Sequence, residues 1–224
     1  MKIAPTARPK KEALSRDRII DTSIELLDFG GEEGLTFPAL SKRLATGPGA
    51  IYWYVNNKTD LLISACDAVI SRTIVSRPPC PTPQATIVDL ASALFDVMNE
   101  HPWIGSALSQ AAGKMPVVRI FECLGQQLQA MGLKEDQQWS AASAMISYIL
   151  GVGSQNAANS ELARRQGLDR SRYLGQLSKE WSELEGESYP FTRLMAKTLQ
   201  SHDDKADFLA GVDFLLIGLL RRSE

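Results

Sequence analysis

The chain has 224 residues, a length that suits one or two compact domains with a sizeable buried core. With 44% hydrophobic and 22% charged residues and a net charge of −2, it has the composition of a soluble globular protein without overall basic character. No apolar run approaches the roughly 18 residues of a membrane span, and the basic N-terminal segment lacks the apolar core of a secretory signal. Cys66, Cys80 and Cys123 stand far apart, outside any Cys/His cluster. We therefore expect a cytoplasmic protein that uses no membrane, metal or cofactor.

The first residues form a basic arm, defined by Lys2, Arg8, Lys10 and Lys11 within a segment that contains no acidic residue. An arm of this kind can follow the phosphate backbone of a nucleic acid. Many terminal tails are also basic, so the arm needs support from the rest of the sequence.

A first helix is predicted over residues 16–29, because isoleucines and leucines recur on one face of this segment. Ser15 is placed to cap its N-terminus. Gly30 and Gly31 are expected to end it, because glycine adopts the left-handed backbone of a helix C-terminus without steric cost.

Two short helices are predicted next. Thr36 is the candidate N-cap of the second helix, a tight turn covers residues 45–47, and Pro48 fits the first turn of the third helix. Two short helices joined by a tight turn form a helix-turn-helix, whose second helix enters the DNA major groove. Short helix pairs also occur as simple packing units, so the pattern alone does not decide the function.

A fourth helix is predicted from Asn57 to about Ile74, after which the segment RPPCPTP (77–83) interrupts the helical pattern. Alternating strand patterns are absent, so the predicted fold class is all-α. The larger C-terminal part is expected to contain helices over about 84–100, 102–112, 116–131, 134–160, 169–185, 190–200 and 203–222.

The stretch LTFPALSKRLATGPGAIYWYVNNKTDLL (35–62) closely resembles the DNA-binding segment of the tetracycline-repressor (TetR) family of bacterial transcriptional regulators. Two later stretches, YILGVGSQNAANSE (148–161) and DFLAGVDFLLIGLL (207–220), are similar to late helices of the same family. The resemblance implies three regions: an N-terminal arm and helix-turn-helix domain over residues 1–62, a connecting helix and proline-rich hinge over 63–83, and a helical effector-binding and dimerisation domain over 84–224.

The resemblance also implies a set of DNA-contacting residues. Phosphate contacts are expected from Thr36, from the hydroxyls of Tyr52 and Tyr54, and from Lys58. The small residues before them are expected to face the base edges, while Ile51 and Val55 belong to the core. Alternatives are a core position for Tyr52, an incidental exposed aromatic at Trp53 and a solvated charge at Lys58. The complete predicted set is Thr36, Lys42, Thr46, Gly47, Pro48, Gly49, Ala50, Tyr52, Trp53, Tyr54 and Lys58.

The larger half shows no pattern of an enzyme. The two histidines, His101 and His202, belong to no Ser/His/Asp set or HExxH motif, and no glycine-rich phosphate loop is present. We therefore predict that the protein is not an enzyme.

Related regulators bind a small effector in this half, so the resemblance implies a ligand cavity here. Aromatic and methionine side chains are plentiful, and together with a few amides they can line a mainly apolar pocket for an apolar or aromatic molecule, although each is also a possible core residue. The predicted effector-binding set is Trp103, Met115, Phe121, Trp139, Tyr148, Gln155 and Asn159.

The last predicted helix is apolar nearly all round, which favours burial on more than one face. We expect this helix and the one over about 137–160 to pair with their symmetry mates in a four-helix homodimer interface. The residues predicted for this interface are Met145, Ile149, Phe208, Gly211, Leu215 and Gly218.

Two functions remain open from the sequence. The first is a dimeric DNA-binding regulator, most simply a repressor that a small effector releases from a palindromic double-stranded operator. The alternative is a helical enzyme or small-molecule-binding protein whose N-terminal helices do not bind DNA. The first requires Tyr52, Tyr54 and Lys58 to be exposed, and the second requires them to be buried.

Overall fold

The structure is a computed structural model that describes residues 13–165, 167 and 169–223, and its regular structure within them is helical. The helices are α1 (Arg16–Gly34), α2 (Phe37–Leu44), α3 (Pro48–Ile51), α4 (Lys58–Val75), α5 (Pro83–Glu100), α6 (Ile104–Gln110), α7 (Met115–Ala130), α8 (Glu135–Arg165), α9 (Arg170–Ser182), α10 (Pro190–Leu199) and α11 (Asp204–Ser223). The predicted all-α fold class is confirmed. Within the described residues, no helix has both the length and the apolar character needed to cross a membrane.

The predicted caps form as expected. The Ser15 hydroxyl accepts from the Arg18 amide at 3.2 Å, and the Thr36 hydroxyl accepts from the Ala39 amide at 3.2 Å. Each bond satisfies a backbone donor that the first turn of a helix leaves without a partner.

The predicted end of the first helix is only partly correct. Gly31 has φ 60° and ψ −161°, so it breaks the helix, but the chain resumes helical turns as far as Gly34. Only glycine tolerates this backbone conformation readily.

The chain divides into two units, residues 1–65 and residues 66–224, with the division inside α4. In the first unit α1 packs on α2 and α2 on α3, around fully buried side chains that include Ile19, Leu35, Leu40 and Ile51. Arg43 of α2 adds a two-pronged hydrogen bond to Glu25 of α1, at 3.0 and 2.8 Å, on the exposed side of this core.

In the second unit α8 is the central helix, packed against α5, α6, α7 and α11. A Cβ added at Gly105 of α6 would overlap Ser154 of α8, and one added at Gly153 would overlap Met98 of α5. These two glycines therefore let the helices approach closely. α9 packs chiefly on α10.

The proline-rich segment is tied to α5. Arg77 donates to the Asp89 carboxylate at 2.5 Å and to the Thr86 carbonyl at 3.0 Å. In the same unit, the Arg119 guanidinium of α7 bonds to Asp67 of α4 at 2.7 Å. These two arginines fix the C-terminal part of α4 and the chain that leaves it.

Candidate DNA-binding surface and ligand cavity

The turn between α2 and α3 is held by backbone hydrogen bonds. Ala45 caps α2 in the left-handed conformation, with φ 50° and ψ 46°, and its amide donates to the Lys42 carbonyl at 3.3 Å. The Thr46 amide donates to the Ser41 carbonyl at 3.0 Å. Left-handed backbone costs a non-glycine residue about 1–2 kcal/mol, and these bonds offset that cost. The chain therefore reverses tightly before α3.

Two buried side chains anchor the segment that follows the turn. Ile51 is fully buried and Val55 nearly so, and the Val55 amide donates to the Ile51 carbonyl at 3.3 Å. The prediction that both belong to the core is confirmed. With these two residues turned inward, the three aromatic residues between them are left on the outside.

All three aromatic side chains are exposed, by 54% for Tyr52, 89% for Trp53 and 40% for Tyr54. The Tyr52 ring stacks on Phe37 with centroids 4.5 Å apart, so its ring is held on one face while its hydroxyl forms no hydrogen bond with another described residue. Tyr52 is therefore a surface residue with a fixed ring, and the alternative core position does not apply.

The Tyr54 hydroxyl is already engaged within the subunit. It donates to the Leu14 carbonyl at 3.0 Å. Because a hydroxyl has a single proton, Tyr54 can donate to a phosphate only by giving up this bond. Tyr52 is thus the better placed of the two tyrosines for a phosphate contact.

Two lysines of this region carry charges without an internal partner. Lys42 of α2 and Lys58, the first residue of α4, are exposed and make no ion pair with another described residue. Arg43 differs, because Glu25 neutralises it. Lys42 and Lys58 are therefore two cations of the described chain that remain available to an anionic partner.

The other predicted contact residues also reach the surface. Thr36, Gly47, Pro48 and Gly49 are exposed, whereas Thr46 and Ala50 are partly covered. The basic arm that contains Lys2, Arg8, Lys10 and Lys11 lies outside the described residues.

The seven residues predicted for an effector site do not form one group. Trp103 is buried beside His101, with ring centroids 5.9 Å apart, and Met115 is half exposed. Phe121 packs against Trp139 at 5.3 Å, but the Trp139 side chain is 72% exposed. An indole that is mostly in solvent forms no wall of an enclosed pocket, so these four residues do not build the mainly apolar cavity that the sequence analysis expects.

The other three predicted residues, Tyr148, Gln155 and Asn159, line one cavity of about 310 Å³ between α8 and the start of α11. The cavity is more polar than predicted. Its remaining lining residues are Val152, Asn156, His202, Asp204, Asp207 and Phe208.

The aromatic wall of this cavity is held by ring stacking and a hydrogen bond. Tyr148 stacks on Phe208 with centroids 5.6 Å apart and planes 6° from parallel, and its hydroxyl donates to the Phe208 carbonyl at 3.0 Å. Burial, and secondarily the Asp207 carboxylate, raises the pKa of the Tyr148 hydroxyl. The hydroxyl therefore keeps its proton and remains a donor.

Sequence reasoning did not assign the polar wall. His202 Nε2 lies 2.8 Å from Asp204, its Nδ1 contacts Asp207, and Arg170 donates to Asp204 at 2.8 Å. His202, Asp204 and Asp207 lie more than 35 residues beyond the end of α8, so no local spacing places them beside it. Among the described residues, no set of three His, Cys, Asp or Glu side chains is arranged to hold a metal ion.

Three residues predicted for the subunit interface are corrected by their burial. Met145, Ile149 and Phe208 are 1%, 0% and 1% exposed within a single subunit. Because they are buried within their own chain, their side chains are not available to a second chain.

Gly211 also has an internal role. A Cβ at this position would overlap the Tyr148 hydroxyl, so the glycine makes room for a side chain of its own subunit. Leu215 is partly covered, and only Gly218 is exposed with open space around it. The predicted close approach of a second helix therefore does not apply at Gly211.

A different face of the same two helices is exposed and apolar. On α11, Phe214 is 74%, Ile217 47% and Leu220 41% exposed. On α8 the exposed positions include the small residues Ala144, Ser147 and Gly151. We call this set the α8–α11 face.

The first unit contains a helix-turn-helix with an exposed turn, and a larger helical unit follows it. This arrangement is typical of helix-turn-helix DNA-binding proteins. Comparison with models of protein families identifies the family. The model of bacterial regulatory proteins of the tetR family matches residues 19–65. The model of the tetracyclin repressor-like C-terminal domain matches residues 78–222. The chain belongs to the tetracycline-repressor family.

Individual relatives agree with this assignment. A helix-turn-helix-type transcriptional regulator of Saccharopolyspora erythraea is 29% identical over 151 residues, 64% of this chain and 64% of that protein. The helix-turn-helix-type transcriptional repressor DrrR1 of Streptomyces coeruleorubidus is 24% identical over 180 residues, 75% of this chain and 63% of that protein. The chain thus matches slightly less than two thirds of the length of each.

Among solved structures, the transcriptional regulator SCO7222, a TetR from Streptomyces coelicolor, superposes with a TM-score of 0.83 at 42% identity. The match covers 95% of this chain and 100% of that chain. Fold and sequence therefore agree over nearly the whole protein.

Proposed function

We propose that this protein is a transcriptional repressor that binds a double-stranded DNA operator through its first unit. The observation that carries the proposal is the exposure of Tyr52, Tyr54 and Lys58 around a turn whose fold depends on other, buried residues. The Lys42 and Lys58 charges and the Tyr52 hydroxyl, which no other described residue pairs with, supply phosphate contacts that set affinity and register. Thr36 adds a hydroxyl at the start of α2.

Selection from a library of random-sequence DNA duplexes tests this proposal directly. We expect the purified full chain to enrich a two-fold symmetric sequence, with half-sites separated by about one helical turn or slightly more. A variant with Lys42 and Lys58 both replaced by alanine should retain its melting temperature and enrich no sequence. Failure of the unaltered protein to enrich any duplex would contradict DNA binding.

We further propose that the protein acts as a homodimer through the α8–α11 face. Phe214, Ile217 and Leu220 recur at helical spacing, so they form one apolar stripe, and exposed stripes of this kind mark contact surfaces. The exposed small residues Ala144, Ser147 and Gly151 of α8 leave room for another helix to approach that helix. One helix-turn-helix offers a small contact area on DNA, and two linked by a dimer supply affinity together.

We also propose that a small-molecule effector bound in the α8–α11 cavity lowers DNA affinity. An aromatic wall combined with a few amide and charged groups is typical of a ligand site, and family resemblance implies an effector in this half. A tenfold release from DNA requires about 1.4 kcal/mol of differential binding, which a ligand of modest size provides.

The effector proposal can be tested by blocking the cavity. Asn159→Trp should keep DNA affinity but lose the release that a compound causes in the unaltered protein. Gln126→Trp, at an exposed position of α7 outside the cavity, serves as the control and should respond normally. Equal release from both variants would place the effector elsewhere.

A further inference from the structure

The surface that follows the turn is unusually poor in polar side chains. Gly47, Pro48 and Gly49 are exposed and Ala50 is partly exposed, and none carries a hydrogen-bonding side chain. We call these four residues the apolar reading surface. Of the polar side chains just before it, Ser41 is buried and Arg43 is held by Glu25, whereas Thr46 is partly exposed and the exposed Lys42 is assigned above to a phosphate contact.

The fold itself does not require the two glycines of this surface. A Cβ built at Gly47 or Gly49 meets no atom within 4 Å. Neither glycine has the positive φ that other residues avoid, and Gly47 has an ordinary extended backbone with φ −81° and ψ 149°. Gly49 lies inside α3, where alanine would favour the helix more. The packing of the subunit therefore does not account for the small size of these residues.

We infer that the apolar reading surface recognises A·T base pairs through thymine methyl groups. The C5 methyl of thymine is the apolar group that base pairs present in the major groove, and it takes contacts from small apolar side chains. Guanine is read by the donor fork of an arginine or by a lysine, and this surface has neither. The two glycines let the backbone come close enough for Pro48 and Ala50 to cover the methyl. This inference rests on the proposed DNA binding.

The test uses the duplex that the full chain enriches from the random-sequence library. Thymines in the centre of each half-site are replaced one at a time by uracil, which removes only the methyl group. Losing one buried methyl should lower affinity about fourfold. Thymines outside the half-sites, replaced in the same way, serve as controls and should leave affinity unchanged.

A protein variant provides the reciprocal test. Gly49→Ala should melt at the same or a higher temperature, because its Cβ meets no neighbour. Its affinity for the thymine duplex should fall severalfold relative to the unaltered protein. On the uracil duplex the fall in affinity should be smaller, because the alanine methyl occupies the space that the absent thymine methyl leaves.

The outcomes separate this inference from the function on which it rests. Affinity that is insensitive to uracil, or half-sites that carry G·C pairs at their centre, would overturn thymine recognition and leave DNA binding intact. Failure to enrich any duplex would overturn both. If Gly49→Ala did not fold, the uracil substitutions would still decide.

Discussion

The helix-turn-helix surface and the α8–α11 region, by which we mean helices α8 and α11 with the cavity between them, use the same kinds of side chain in different ways. In the first, the turn is fixed by buried Ile51 and Val55 and by backbone bonds, while Tyr52 and Lys58 are exposed and no side chain in the described part of the chain bonds to their polar groups. In the second, Tyr148 lines a cavity, stacks on Phe208 and bonds to its carbonyl at once. Function and folding are therefore separable in the first region and joined in the second.

This difference predicts how substitutions behave. On the helix-turn-helix surface, a change should alter binding without altering stability. In the α8–α11 region, only residues that are exposed in the single subunit, such as Phe214, should show the same separation. Changes at buried positions, or at positions that contact Tyr148 such as Gly211, should lower the stability of the fold.

The largest expected effect is on assembly. Phe214→Glu places a charge at the most exposed residue of the proposed dimer stripe, where burial without a partner is strongly unfavourable. We expect the variant to sediment as a folded monomer at concentrations at which the unaltered protein is dimeric, with a dissociation constant raised by about two orders of magnitude or more. Val118→Glu, at a 44% exposed position of α7, is the control and should remain dimeric. A dimeric Phe214→Glu protein would exclude this face as the interface.

A smaller effect, on stability, is expected at Gly211, which lies against Tyr148. Gly211→Ala forces Tyr148 away from Phe208, which breaks a hydrogen bond and a stacked ring pair. Overpacking of this kind costs about 1–3 kcal/mol of unfolding free energy, measurable by urea denaturation. Gly125→Ala in α7, where nothing lies within 4 Å, should instead be neutral or stabilising. Equal unfolding free energies for the two variants would show that Tyr148 moves away from Gly211 without loss of stability.

The smallest expected effects separate the two tyrosines of the helix-turn-helix. Tyr54→Phe removes the bond to Leu14, so unfolding free energy should fall by about 0.5–1.5 kcal/mol. Tyr52→Phe should leave stability unchanged and weaken DNA binding by a similar free energy, because its hydroxyl bonds to none of the residues that the structure describes. Denaturation and DNA titration of both proteins measure the two quantities. The reverse pattern would assign the phosphate contact to Tyr54.

Sequence alone predicted those parts of the structure that depend on neighbouring residues. Ser15 and Thr36 cap their helices as expected, and the helix-turn-helix was recognisable because its residues lie in one continuous stretch. Gly31 shows the limit of such local signals, since it broke the helix without ending it.

The α8–α11 region was harder to predict because its contacts join residues far apart in sequence. α11 is apolar on several faces, so composition did not reveal that Phe208 faces inward and Phe214 outward. Gly211 correctly suggested a close approach, but the approaching group is Tyr148 of the same chain. Tyr148 also bonds to the Phe208 carbonyl, which is 60 residues away in sequence. The cavity likewise depends on His202 and Asp204 meeting α8, which no spacing indicates.

The measurement that tests DNA binding by the first unit most directly is the salt dependence of operator affinity for Lys58→Ala. Each lost phosphate contact lowers the slope of log affinity against log salt by about 0.9, so a dimer that loses two contacts should lose roughly two units of slope. Lys114→Ala removes the same charge at an exposed position of the second unit and should change neither slope nor affinity. We expect weaker and less salt-dependent binding for Lys58→Ala alone. Binding equal to that of the unaltered protein at every salt concentration would contradict the assignment.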